Sequence, residues 1–198
     1  MAKIVNLTTY DLRFPTSDQL DGSDAMNPDP DYSAAYVIIE TDNILLKGHS
    51  FAFTLGRGND LCCEAIKALQ HLVLGLDISW IKENQSTFSR MMTSDTQLRW
   101  VGPEKGIIHM ASGAIINAVW DILSKLENKP LWQLVSDMNA VQISNVIDFR
   151  HITATSILQP MLLEPPSISP LRLTTSTITS LPESPEQEII NTLLAYTN

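Results

Sequence analysis

Residues 97–121, QLRWVGPEKGIIHMASGAIINAVWD, and the few that follow carry the longest helical pattern in the chain. Ile108, Ala111, Ile115, Ala118, Val119, Ile122 and Leu126 recur at spacings of three and four, which places them on one face of a helix. Gly102-Pro103-Glu104 offers a proline at a first helical position and an acid in the first turn, while Lys125, Asn128, Lys129 and Pro130 supply basic residues and a stop. One core helix over 103–127 is predicted. Burying its apolar face contributes roughly 1.5–3 kcal/mol per large side chain, as an upper bound. Gly106 and Gly113 each cost such a helix about 1 kcal/mol relative to alanine, so a second backbone is expected to approach closely there.

A chain of 198 residues holds one domain with a real core, or a domain and an appendage. A formal net charge of -9, with no clustered Lys and Arg, argues against a nucleic-acid surface. The N-terminus lacks the apolar stretch of a secretory signal, and no uninterrupted apolar run is long enough to cross a bilayer. A soluble cytoplasmic protein is expected; a mitochondrial location stays open, although no clear transit peptide is present. The adjacent Cys62 and Cys63 fit neither a disulfide framework nor a CxxC motif, and are read as buried small apolar residues.

Residues 3–14 read as a first strand, rich in Ile, Val, Leu and Thr. The next segment, PTSDQLDGSDAMNPDPD over 15–31, has almost nothing to bury. Structureless loops of that length inside a domain are uncommon unless functional or disordered, which makes this one a candidate substrate loop. Residues 32–40 and 44–54 read as two further strands joined at Thr41-Asp42-Asn43. Asp60 is expected to cap a helix whose face is Cys62, Ile66, Leu69, Val73 and Leu76. A second helix is expected over 78–92, with Trp80, Ile81, Phe88 and Met91 inward, and Pro130 opens a short one through Leu131, Leu134, Val135 and Met138. Three strands followed by helices give an α+β arrangement, the helices covering one sheet face. VQISNVIDFR, 141–150, alternates and reads as one more strand, isolated from the other three. Residues 151–198, with more than half of the 11 prolines amid Ser and Thr, form an irregular tail, poorly ordered over 153–184 with a short amphipathic helix over 185–196.

Chemical motifs are sparse. His49, His71, His109 and His151 lack HExxH or paired Cys/His spacing, and His109 is read as a core or half-buried histidine rather than a base. There is no GxSxG elbow and no P-loop, and Leu55-Gly56-Arg57-Gly58-Asn59 is not a dinucleotide fingerprint. Asp21, Asp24, Asp29 and Asp31 cluster without the Gly and Glu positions of an EF-hand, so a solvated acidic loop is the better reading.

Six segments together are specific: DLRFPTS (11–17), GSDAMNPDPDYSAAYVIIETD (22–42), FTLGRGND (53–60), QLRWVGPEKGIIHMA (97–111), NAVWDI (117–122) and IDFR (147–150). In this order they resemble the enolase superfamily of mandelate racemase/muconate lactonizing enzyme type, and within it the L-fuconate and fungal L-galactonate dehydratase branch. The resemblance covers about the first three quarters of the chain, loops as well as core. It implies an N-terminal capping domain over 1–140, of three antiparallel strands and a helical bundle, whose loops close over substrate. Residues 141–150 would then be a remnant of the first strand of a (β/α) barrel, and 151–198 a divergent Pro/Ser/Thr-rich tail.

In that family a barrel lysine or histidine removes the proton alpha to the carboxylate, and Mg²⁺ held by barrel carboxylates stabilises the enediolate on the way to a 2-keto-3-deoxy sugar acid. Carried over by motif, Gly22, Ser23, Asp24 and Tyr32 match positions that contact the sugar acid. No catalytic base and no metal ligand carries over, and no Mg²⁺ is expected to bind this chain. The pattern breaks at His151, where a barrel needs further strands. The expectation is a truncated carbohydrate-acid dehydratase, a lyase lid without its barrel and inactive alone. The alternative is a non-catalytic interaction protein that pairs with a full-length relative. Neither nucleic acid nor membrane is an expected partner.

Overall fold

Period-two alternation builds the sheet as expected. In a computed structural model that describes residues 2–102 and 105–149, β1 (Ile4–Arg13), β2 (Ser33–Thr41) and β3 (Lys47–Thr54) form an antiparallel sheet in the order β1-β2-β3. The register sets Tyr10 opposite Tyr36 and Tyr36 opposite Phe51. Ala35, Val37 and Ile39 therefore share one face and are fully buried, while Ala34, Tyr36 and Ile38 point the other way. The β2–β3 connection is longer than expected. Ile44 and Leu45 lie in it, exposed, and the turn is closed by the Thr41 hydroxyl donating to the Leu46 carbonyl at 2.8 Å.

Six helices follow among the described residues: α1 (Asn59–Leu69), α2 (Ile78–Glu83), α3 (Gln85–Thr93), α4 (Ile107–Leu126), α5 (Leu131–Ser136) and α6 (Ala140–Val146). α4 is the predicted central helix. Ile108, Ala111, Ile115, Ala118, Val119 and Ile122 are all buried; Leu126, at the frayed end, is half exposed. The helix begins later than the Pro103 signal implied, because Lys105 has a φ of 70° that no right-handed helix accommodates. The close backbone approach also lies elsewhere. A Cβ at Gly113 would meet nothing, whereas one at Gly48 of β3 would lie 2.1 Å from the Ala118 carbonyl oxygen. It is the strand that yields to the helix. α4 alone among the described helices has the length and hydropathy of a membrane span, yet its apolar side is the core of this fold.

Other expectations shift by a residue or a turn. α1 starts at Asn59 behind Gly58, whose φ of 92° sets the chain direction, so Asp60 sits in the first turn and does not cap. Cys62, Ile66 and Leu69 are buried as predicted, and α1 ends before the equally buried Val73. The single helix over 78–92 is two, broken at Asn84. Ile81 and Phe88 point inward, with Met92 fully buried and Trp80 left partly exposed. His109 is exposed, its Nδ1 accepting from the Lys105 N–H at 3.2 Å.

The expected strand over 141–150 is largely a helix. Asn139 and Gln142 close a reciprocal capping box on α6, and Ile143, Val146 and Ile147 fall at the three- and four-residue spacing of one helical face. The described residues offer no neighbouring strand to satisfy an isolated ladder there. Arg90 of α3 donates to Asp148 at 2.9 Å and ties the segment to the bundle. Pro103, Glu104 and the expected tail from 151 onward lie outside the described residues.

Candidate functional site

The C-terminal end of β1, the N-terminal end of β2 and the C-terminal end of β3 meet at one end of the sheet, as antiparallel pairing requires. The loop over 15–31 and the turn over 55–58 are therefore neighbours, although the whole of β2 and β3 separates them in sequence. A Cβ at Gly56, whose φ is 90°, would come within 3.0 Å of the Asp31 Cβ, and Arg57 lies 3.6 Å from the Asp29 carboxylate.

Polar contacts, not apolar burial, hold the loop over 15–31. At its base the Thr16 hydroxyl donates to the Pro30 carbonyl at 2.8 Å and accepts from the Tyr32 N–H at 3.0 Å. The Ser17 hydroxyl and N–H donate to one Asp31 oxygen at 2.5 and 3.2 Å. These donors, the hydroxyl first, hold the Asp31 carboxyl below its ordinary range. Near the tip, Asp24 accepts from the N–H groups of Met26 at 2.7 Å and Asn27 at 2.8 Å and is likewise lowered, by Asn27 first and then Met26. This is an Asx-type turn. Residues 21–29 are exposed throughout.

Of the expected substrate residues, the fold brings Gly22 and Tyr32 together. Gly22 has a φ of 73°, and a Cβ there would lie 1.8 Å from the Tyr32 hydroxyl oxygen. The Tyr32 ring, half-buried, packs edge-on to Phe53 with centroids 5.5 Å apart. Ser23 and Asp24 follow on the exposed tip. Of the clustered acids, Asp24 and Asp31 are occupied in shaping the loop and Asp29 faces Arg57.

Beneath both loops runs a chain of polar side chains that sequence reasoning did not single out. The Gly56 N–H donates to Ser33 Oγ at 2.6 Å, and Ser33 and Thr54 share a hydrogen bond of 2.8 Å. Thr54 donates to Asn59 Oδ1 at 2.6 Å, and Asn59 Nδ2 to Asp11 Oδ1 at 2.5 Å. Arg13 completes it with two bonds to Asp11 at 2.9 and 2.8 Å. Arg13, then Asn59, draws the Asp11 carboxyl below its usual range. Ser33 and Asn59 are buried. The signal was present, since all five side chains lie within the segments 11–17, 22–42 and 53–60 that carry the resemblance.

The same geometry limits the chemistry. Among the described residues, no three His, Cys, Asp or Glu side chains converge as a metal site would need. The described histidines are dispersed: His49 bonds Tyr36, His71 lies near Asp95 and His109 accepts from Lys105. Burial pushes the Cys62 thiol up to about 11, which makes it inert. What this end of the sheet presents is an exposed polar loop shaped by directed hydrogen bonds.

Similarity to known proteins is extensive over the described part. The family model for the mandelate racemase / muconate lactonizing enzyme N-terminal domain matches residues 29–136. The chain is 48% identical over 150 residues to L-galactonate dehydratase of Hypocrea jecorina, covering 76% of this chain and 33% of that protein. The crystal structure of human mitochondrial enolase superfamily member 1 superposes with a TM-score of 0.75 at 48% identity, covering 80% of this chain and 38% of that one. A racemase from Streptomyces coelicolor, solved with bound magnesium, shares the fold at a TM-score of 0.57 and 24% identity. The chain spans about a third of the length of the curated relatives it matches.

Proposed function

Because the chain belongs to the mandelate racemase / muconate lactonizing enzyme N-terminal domain family, we propose that it is the substrate-capping domain of a sugar-acid dehydratase of the L-fuconate and L-galactonate type, contributing a lid and no catalytic group. The observation that carries this is the site end itself, where the loop over 15–31 is closed on Thr16, Asp31 and the Gly22–Tyr32 contact, in a chain 48% identical over 150 residues to L-galactonate dehydratase of Hypocrea jecorina. In this role Gly22, Ser23, Asp24 and Tyr32 contact the sugar acid. The Asp24 carboxylate, ionised and fixed by two N–H groups, is a ready acceptor for sugar hydroxyls. A lid of this kind positions substrate and excludes water from a reaction whose base and Mg²⁺ ligands lie in another domain. The protein works in the cytoplasm; subcellular fractionation checks that placement.

Alone, the chain turns over nothing. Purified protein incubated with L-fuconate or L-galactonate and Mg²⁺ is expected to release no keto acid, and measurable turnover overturns this role. Exchanging residues 2–149 for the matching part of the Hypocrea jecorina enzyme is expected to yield an active hybrid, since the lid would still close over the same substrate. A second role, pairing with a full-length relative, is favoured by the exposure of Trp100, Val101 and Trp132, at 85%, 75% and 71%. Co-purification with such a relative supports it, and a clean monomer in the presence of that relative counts against it.

A further inference from the structure

The loop over 15–31 carries charge of one sign. It holds Asp18, Asp21, Asp24, Asp29 and Asp31, and from Phe14 to Leu46 the chain has no Lys, Arg or His. Salt screens such charges only beyond about 8–10 Å, so an anion entering beneath this loop is repelled by its exposed carboxylates. A lid for a sugar acid, the role proposed above on which this inference rests, therefore needs positive charge from another part of the chain.

Two arginines flank the loop, Arg13 directly before it and Arg57 in the neighbouring turn. Arg13 gives two bonds to Asp11 at 2.9 and 2.8 Å and has Asp60 at 3.6 Å, so its guanidinium is committed. Arg57 has one acidic partner among the described residues, Asp29 at 3.6 Å, too long for a hydrogen bond, and its side chain is 92% exposed. Its charge also helps to lower Asp31, after that residue's bonds to Ser17. The backbone beneath Arg57 is fixed. Gly56 and Gly58 hold φ values of 90° and 92° on either side of it, the Gly56 N–H donates to Ser33 Oγ at 2.6 Å, and the Gly56 carbonyl accepts from the Asn59 N–H at 3.2 Å. A well-anchored turn thus presents one loosely paired guanidinium beside an acidic loop.

We propose that Arg57 is a specificity-determining residue: its guanidinium leaves Asp29 for the carboxylate of an incoming sugar acid, so that an acidic loop accepts an anion and passes over the matching neutral polyol. The exchange is favourable because the two partners differ. An exposed ion pair without a hydrogen bond is worth little, so releasing Asp29 costs little. A planar guanidinium can meet a free carboxylate with two parallel N–H···O bonds, a geometry the Asp29 contact lacks. Asp29 keeps the guanidinium beside the loop while no anion is bound. The role is one of recognition, and no proton or covalent bond changes hands at Arg57.

Amide chemical shifts of the isotope-labelled full chain test this, with sodium L-galactonate, galactitol and sodium acetate each added to about 20 mM at constant ionic strength. Galactonate is expected to shift Gly56, Arg57 and Gly58 together with residues 22–24 and Tyr32, saturably, and to bind less well as salt is raised. Galactitol and acetate are expected to bind more weakly. Arg57→Gln is expected to weaken galactonate binding about two- to fivefold and to erase its advantage over galactitol. Arg57→Lys should keep the salt dependence and part of the affinity, and Asp29→Asn, which removes the competing carboxylate, should tighten binding. Both positions are exposed, so circular dichroism should not change. Galactonate shifts at 22–24 and Tyr32 that are matched by galactitol or acetate, or unaltered in Arg57→Gln, overturn the proposal and leave the lid role standing. Shifts confined to 56–58 that vanish in Arg57→Gln overturn the lid role and support Arg57 as the anion-selecting group. No saturable shift anywhere overturns the proposal outright.

Discussion

The inner face of the sheet and the loop at its end are held by opposite means. On the inner face, Val37, Ile39 and Ala52 are buried in one apolar core, and Gly48 lets β3 approach the backbone of α4. The loop over 15–31 buries little of its length beyond Pro30 and is held by directed bonds to Thr16, Ser17, Asp24 and Asp31. Area-driven packing tolerates no change of volume and ignores pH; bond-driven loops tolerate new side chains and respond to protonation.

That contrast is most severely tested at Gly48. Placing a valine there drives a Cβ into the Ala118 backbone, which has no rotamer in which to retreat, so Gly48→Val is expected to cost about 3–5 kcal/mol or prevent folding, read by urea denaturation. Parent-like stability would mean the helix and strand are not in this contact. Ile39→Ala, at a fully buried position, is expected to cost about 2–5 kcal/mol by the same measurement.

At the loop the effects shrink. Gly22→Ala combines a left-handed φ with an encroachment on Tyr32, and is expected to cost about 1 kcal/mol, with faster proteolysis between residues 15 and 31. Adding Tyr32→Phe removes the nearest atom, at 1.8 Å, but leaves ring carbon Cζ at 2.6 Å, so the double variant should recover only part of the loss. Full recovery or none would mean that the contact is not the cause.

The smallest and most selective effect is acid sensitivity. Asp11, Asp24 and Asp31 are all lowered in the folded protein, so the stability they add is complete above the unfolded value of about 4 and is lost as pH falls through their lower folded values. Amide exchange of Ser17, Met26 and Asn27 should accelerate in acid before that of Val37 or Ile39. Simultaneous loss would show that loop and body open as one.

The body was legible in the sequence because packing leaves a period. Alternation marked β2, and the three-four spacing of Ile108 to Ile122 marked α4 and its buried face. Element ends were less legible, since they turn on single backbone angles: Lys105 and Gly58 moved two helix starts that Pro103 and Asp60 had seemed to mark. Residues 140–146 were ambiguous because Val141, Ile143 and Ile147 fit alternation, while Ile143, Val146 and Ile147 fit a helix; the Asn139–Gln142 capping box decides it. At the site, Gly22 and Tyr32 were named together only through the resemblance. Ser33, Thr54 and Asn59 could not be grouped by spacing, because their contacts depend on a register between strands that no local pattern encodes.

The polar chain from Gly56 to Asp11 has its sense set from both ends. A backbone N–H only gives and an ionised carboxylate only receives, so the hydroxyl hydrogens of Ser33 and Thr54 and the amide of Asn59 have one arrangement that satisfies every atom. No rotor is left free to choose. Asn59→Asp would place two anions face to face where a donor stood, and nothing upstream can reverse to repair it. The turn carrying Arg57 is thus oriented by an arrow of hydrogens that begins at its own backbone.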